Sequence, residues 1–205
     1  MEDIIKTLSD KITRIKNIVS LSKFTSLLIE NNFNPVLIIN MNNSFFEESA
    51  GNYILLDNKI KDLIKLVYSI SPSNLIFICD KEYKFYDRIQ DFLNSLNFTG
   101  EESYNYYRII FSPDINNEST FHLSLNSYLI NNDLILRSIP KTCILYLDNS
   151  QERVKNIKYI VNDENIKYFF FVLDSKKSFF DFMNNEGEYK IIDSIYNSNL
   201  VDSEV

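Results

Sequence analysis

Four short runs of this chain are apolar at nearly every position: VLII (Val36 to Ile39), LIFIC (Leu75 to Cys79), CILYL (Cys143 to Leu147) and YFFFVL (Tyr168 to Leu173). A strand with one wet face alternates apolar and polar residues, whereas a strand covered on both faces does not. Between these runs lie stretches whose apolar residues recur three and four apart, such as Ile60, Leu63, Ile64 and Val67, the mark of a helix with one buried stripe. Doubly buried strands separated by helices define an α/β chain: a parallel sheet between two helical layers, doubly wound by right-handed crossovers.

The first segment reads as helix. Ile4, Ile5, Leu8, Ile12, Ile15, Ile18 and Val19 keep helical spacing, Ser20 to Ser22 interrupt it, a second helix spans Lys23 to Glu30, and Asn34-Pro35 ends it. We therefore expect a helical extension over 1–34, packed on the sheet or docked on a partner, an α/β domain over 35–196, and a frayed tail over 197–205. Further helices are expected over Ile54–Ile70, Arg88–Leu96, Thr120–Ile139, Gln151–Val161 and Ser178–Asn184, and a last short strand over Tyr189–Ile192. Tyr83 and Phe85 alternate with charged neighbours like an edge strand. Glu101–Phe111 fits a strand by propensity and a short helix by position.

Composition excludes several classes. Of 205 residues only Gly51, Gly100 and Gly187 are glycine, so no glycine-rich phosphate loop can form. The net charge of −7 suits solubility and disfavours a dedicated nucleic-acid surface. No apolar run approaches the ~20 residues that span a membrane. The opening MEDIIKTLSDK is charged from its second residue, unlike a secretory leader. Cys79 and Cys143, both inside apolar runs, read as buried free thiols, which points to an intracellular chain without disulfides. With His122 the sole histidine, the two cysteines cannot build a structural zinc site, and a nucleophile triad would need that one histidine, inside the helical FHLSL, to lie on the right rim. Asparagine is abundant throughout, so a single asparagine carries little weight.

Ligands of open α/β sheets gather outside the carboxyl ends of the strands. Those ends carry Asn40, Asn42 and Ser44, then Asp80, then Asp148, Asn149 and Ser150, then Asp174 and Ser175; Asn116, Asn117, Ser119 and Thr120 precede the long helix. Such residues also cap helix N-termini, and Ser150 before QERV and Asp174-Ser175 before KKSFF suit that role. Acid–base chemistry would need Asp80, Asp148 and Asp174 to converge.

These pieces resemble a von Willebrand factor A domain. That family places a D-x-S-x-S motif after its first strand, a Thr before a long helix, and an Asp at the end of the next strand, together holding a divalent cation. Asn40, Asn42 and Ser44 fall on the first motif, Thr120 on the Thr, and Asp148 on the Asp. The pair LIFICD and YKFYD matches the family's one antiparallel edge strand. Asn40 replaces the motif's carboxylate, so the resemblance implies a degenerate cation site holding no metal, because hard cations want charged oxygen ligands. No cofactor and no catalytic residue are expected.

Within that superfamily the chain is most similar to the smaller von Willebrand-type subunit of the transcription and repair factor TFIIH. The match rests on NNSFF after the first strand, on SPSNLIFIC, and on FFFVLDSKKSFFDFMNNEGEYKII. The cysteine-built zinc module of that subunit has no counterpart here. The resemblance implies a non-catalytic adaptor bound to other protein subunits in the nucleus; charge and the length of the apolar runs lead us to expect no direct contact with nucleic acid or membrane. Phe45 and Phe46, following the polar turn, are candidate partner-binding anchors. Other readings are a proteasomal ubiquitin-receptor type subunit, a metal-dependent hydrolase or nucleotide-binding enzyme using Asp80, Asp148 and Asp174, and a silent recombinase-like core.

Overall fold

The computed structural model describes residues 2–9, 11–41, 46–49, 52–55, 58–98, 105–113, 139–160 and 166–173. The four apolar runs form the strands β2 (Asn34–Asn40), β5 (Leu75–Cys79), β7 (Thr142–Asp148) and β8 (Lys167–Leu173). Two more strands, β1 (Ile12–Ile15) and β6 (Arg108–Phe111), complete a sheet in the order β1-β8-β7-β2-β5-β6. All five pairings are parallel. Every residue of β5 and β7 is buried, as is β2 from Pro35 onward, which explains why their sequences do not alternate.

Chain direction explains the layers. From β2 the chain passes through α3 (Ile60–Tyr68) to β5 and through α4 (Tyr86–Ser95) to β6, then returns to the other side of β2 as β7 and continues through α5 (Gln151–Ile160) to β8. Right-handed crossovers in opposite directions place helices on opposite faces. One face buries Leu37, Ile39, Phe77, Leu145, Phe169 and Phe171 under α1 (Glu2–Ser9), α2 (Ile18–Glu30), α3 and α4. The other buries Val36, Ile38, Ile144, Tyr146, Phe170 and Val172, with Val154 and Ile157 of α5 against them. The three-layer, doubly wound architecture expected from the sequence is thus observed. Phe170 and Val172, each 2% exposed, lie in a strand paired on both sides.

Three local expectations are corrected. Residues Ile12–Ile15 are a strand, not helix. Their helical spacing is a coincidence of a β-rich ITRI segment, which pairs with β8 from Ile12↔Phe170 to Ile15↔Leu173. Asn17 then starts α2 afresh, its Oδ1 accepting the Ser20 amide at 3.2 Å. The segment 1–34 accordingly supplies an edge strand and two core helices, with Ile5, Leu8, Leu21 and Leu28 buried. Next, the helix expected from Ile54 begins at Ile60, because β4 (Asn52–Leu55) pairs antiparallel with β3 (Phe46–Ser49) in a separate hairpin. Finally, Tyr83–Phe85 is a 3₁₀ turn leading into α4, and among the described residues the main sheet has no antiparallel edge strand. Tyr83 stacks on Tyr86 at 5.5 Å and meets Phe111 edge-on at 5.4 Å, which holds that segment over the sheet's rim rather than beside it.

The edge position goes to β6, and α4 prepares it. Gln90 and Asn94, one helical turn apart, each use both ends of the side-chain amide on extended backbone. Asn94 accepts from Asn105 N at 2.7 Å and donates to Asn105 O at 2.9 Å; Gln90 accepts from Tyr107 N at 3.0 Å and donates to Tyr107 O. The helix thereby acts as a strand partner for residues 105–107, and the described part of the ambiguous segment, 105–111, is extended chain leading into β6. The expected elements at Thr120–Ile139, Ser178–Asn184 and Tyr189–Ile192, and the tail 197–205, lie outside the described residues apart from Ile139.

Candidate functional site

In a sheet wound in two directions, the crevice forms where the strand order reverses. Here that point lies between β2 and β7. Their register runs from Asn34↔Thr142 to Ile39↔Leu147, and one more step sets Asn40 opposite Asp148. Both side chains are 0% exposed. Alternation along the strands turns Asn40, Tyr146 and Asp148 toward the α5 face, the side occupied by Val36, Ile38 and Ile144. The sheet thus delivers a buried amide, a phenol and a carboxylate to one point.

Asp148 accepts five hydrogen bonds there. Its Oδ2 receives Asn40 Nδ2 at 2.9 Å, Tyr146 OH at 2.8 Å and Arg153 Nε at 3.1 Å. Its Oδ1 receives Ser150 N at 2.9 Å and Arg153 Nη2 at 2.8 Å. Arg153 therefore grips the carboxylate through two nitrogens, the fork geometry that makes guanidinium–carboxylate pairs strong. Nη2 also donates to Asn149 Oδ1 at 2.8 Å. The local fold causes this grip. Ser150 caps α5 through its Oγ, which accepts Arg153 N at 3.3 Å, and so starts the helix with Arg153 in its first turn, facing back over the strand end.

The charges reinforce one another. Burial works against the Arg153 cation, but hydrogen bonds and attraction from Asp148 outweigh it, with Tyr146 and Asp80 adding to the pull, so its pKa is raised. Asp80, at the carboxyl end of β5, adds only a weaker attraction through space, and its own ion pair is with Lys81 at 4.0 Å. The Tyr146 phenol is pushed well above its ordinary range, first by burial and then by the neighbouring Asp148 charge, so it stays a donor. An amide at position 40 also has a reason. Facing an occupied carboxylate, Asn40 donates, whereas an aspartate there would set acceptor against acceptor.

Such a carboxylate is committed to internal donors. Its lone pairs are filled and its charge is balanced by a side chain held in place by the helix it caps. The arrangement ties β2, β7 and α5 together at the crevice. Among the described residues no three His, Cys, Asp or Glu side chains cluster as a metal centre would require.

Of the positions singled out in the sequence, Asn40 and Asp148 meet directly, whereas Asp80 acts on the site only through its charge and pairs with Lys81. Asn42, Ser44, Thr120, His122 and Asp174 lie outside the described residues, as does Phe45. Phe46 is 2% exposed and packs edge-on against Phe92 at 4.9 Å, so it is core, not an exposed anchor. Ser150 caps α5 as its position suggested. Arg153 and Tyr146 complete the site without having stood out in the sequence. A signal for Arg153 is there: a cation in the first turn of a helix opposes the helix dipole and needs an anion to hold it. Tyr146 sits inside an apolar run and looks like core alone.

Both cysteines are free and buried. No helix among the described residues is long and apolar enough to cross a membrane. Fold and crevice define a doubly wound α/β protein whose switch point is filled by its own guanidinium. Compared with protein-family models, curated proteins and solved structures, the chain matches none.

Proposed function

We propose that the protein is a non-catalytic scaffold: an adaptor subunit of a multiprotein assembly, built on a von Willebrand A-like domain with a degenerate cation site. The single observation that carries this reading is Asp148. The fully buried carboxylate at the crevice is bound by five internal donors and neutralised by Arg153. A carboxylate so engaged is unsuited to act as a base or to ligate an ion, both of which need an open lone pair. Selection for structure rather than chemistry accounts for a crevice of this kind.

The sequence resemblance supports a TFIIH-type subunit, serving transcription initiation and nucleotide excision repair in the nucleus. It rests on the strand-end residues and flanking motifs, while the parallel edge strand β6 departs from the antiparallel edge of that family.

Affinity purification of the tagged full-length protein, followed by size-exclusion chromatography and mass spectrometry, tests the proposal. The expected result is a complex of fixed stoichiometry containing transcription and repair subunits. Elution as a lone chain, with a hydrolytic activity abolished by Asp80→Asn, would replace the adaptor with an enzyme. A stable complex of proteasome subunits would keep the adaptor role and move it to the other assembly.

A further inference from the structure

We infer that the crevice between β2 and β7 is a binding site for a planar organic cation, and that its occupant is the protein's own Arg153 side chain. The inference rests on the geometry of the crevice and is independent of the assembly in which the protein works.

The acceptors are laid out for a guanidinium. Two oxygens of one carboxylate take parallel N–H bonds, at 3.1 Å from Nε and 2.8 Å from Nη2, and Asn149 Oδ1 takes a third at 2.8 Å. The walls are built and buried: Asn40 and Asp148 are 0% exposed, and the Arg153 side chain is 17% exposed. Asp80 contributes further negative charge. The same contacts disfavour a hard divalent ion. Asn40 Nδ2, Tyr146 OH and Ser150 N all point their hydrogens at the carboxylate oxygens such an ion would have to share. Donors on those lone pairs are compatible with further N–H donors in the carboxylate plane, and repel a metal. Removing the side chain but not the acceptors leaves a vacancy with the shape and charge of free guanidinium.

Arg153→Ala in the full-length protein, melted with about 20 mM guanidinium chloride, far below the molar range that unfolds proteins, tests this against equal sodium chloride, urea, magnesium chloride and calcium chloride. Guanidinium is expected to raise the melting temperature of the variant by roughly 2–4 °C over sodium. It should leave the unaltered protein unmoved, and urea, magnesium and calcium should do nothing. Guanidinium no better than sodium would overturn the inference, as would a larger gain from magnesium or calcium, which would mean a dormant metal centre. If Arg153→Ala is recovered only unfolded, its refolding yield on dilution into guanidinium against urea decides the matter, and equal yields refute the proposal. Arg153→Lys gives a second reading. Its ammonium fills the vacancy without the fork, so guanidinium should not stabilise it. A gain equal to that of the alanine variant would show that the ion acts elsewhere. The pull-down of the unaltered protein tests the adaptor reading separately, so either can fail alone.

Discussion

At the scale of the residue, position 40 decides what the crevice is. Read from the sequence alone, the amide there is a cation ligand that has lost its charge. In the structure it is a donor fitted to Asp148 Oδ2 at 2.9 Å. The two views predict different outcomes for Asn40→Asp. Restoring a lost ligand would add metal affinity at little cost in stability. In the observed packing the substitution sets two carboxylates against each other with both side chains buried. We expect a loss of about 3–5 kcal/mol at neutral pH, the range for breaking a buried charge network, and no magnesium-dependent gain. Asn40→Ala, which only removes a donor, should cost less, about 1–3 kcal/mol. Protonating the new carboxyl restores a donor, so the Asn40→Asp deficit should shrink as pH is lowered. Urea titrations at pH 7 and pH 5, with and without magnesium, measure all of this. An Asn40→Asp protein as stable as its parent, or one stabilised by magnesium, would reinstate the cation site.

At the scale of the element, the N-terminal segment is the instructive case. The sequence offers a helical extension over 1–34, packed on the sheet or docked on a partner, and only in the second case would it be removable. In the structure β1 is hydrogen-bonded to β8 along four residues, and α2 places Phe24 edge-on to Phe169 at 5.1 Å. A chain begun at Pro35 would bare one side of β8, with its KYFFFVL sequence, as an unprotected edge, and would uncover the face that α2 occupies. Exposed apolar edge strands template aggregation. The trimmed protein is expected to be insoluble or to elute in the void volume, and a monodisperse, folded product would contradict the strand pairing. The contrast marks what was legible. Each doubly buried strand could be read from its own residues because burial on both faces leaves a local pattern. The strand at Ile12–Ile15 could not, because a short edge strand owes its state to β8, far away in the sequence. Helical spacing that continues from Leu8 through to Ile18 masked it. The crevice divides in the same way. Strand ends named Asn40 and Asp148, and Arg153 left a trace as a cation in a helix's first turn, while Tyr146 and the inward turn of Phe46 follow from register and packing that no local pattern encodes.

At the scale of the whole molecule, burial has set several acids against ionisation, and that fixes how the fold responds to base. Cys143, fully enclosed in β7, has its thiol pushed up to about 12 by burial, against a weaker opposing pull from Lys167. Tyr107 is raised to about 12 by burial and then by Tyr68. Tyr146 lies well above its usual value for the reasons given at the crevice. In the unfolded chain these groups ionise near their ordinary values, roughly 8.5 for a thiol and 10 for a phenol. Above those values the unfolded state holds fewer protons than the folded one, so stability falls as pH rises. The Cys143 contribution is complete below about pH 8.5, and declines by up to about 1.4 kcal/mol per pH unit until the folded thiol itself titrates. From about pH 10 the two tyrosines add to the slope. Urea midpoints measured from pH 7 to pH 11 should hold level at first and then drop with increasing steepness. Cys143→Ala should lower the starting stability by opening a small cavity, yet flatten the part of the curve between about pH 8.5 and 10. With Cys79 replaced by Ala so that Cys143 is the one thiol, a thiol-reactive dye at pH 8 should label the protein in urea but not in the native state. Ready labelling of the native protein, or an identical alkaline slope in the alanine variant, would mean that β7 opens far more easily than a strand paired on both sides by β2 and β8 should allow.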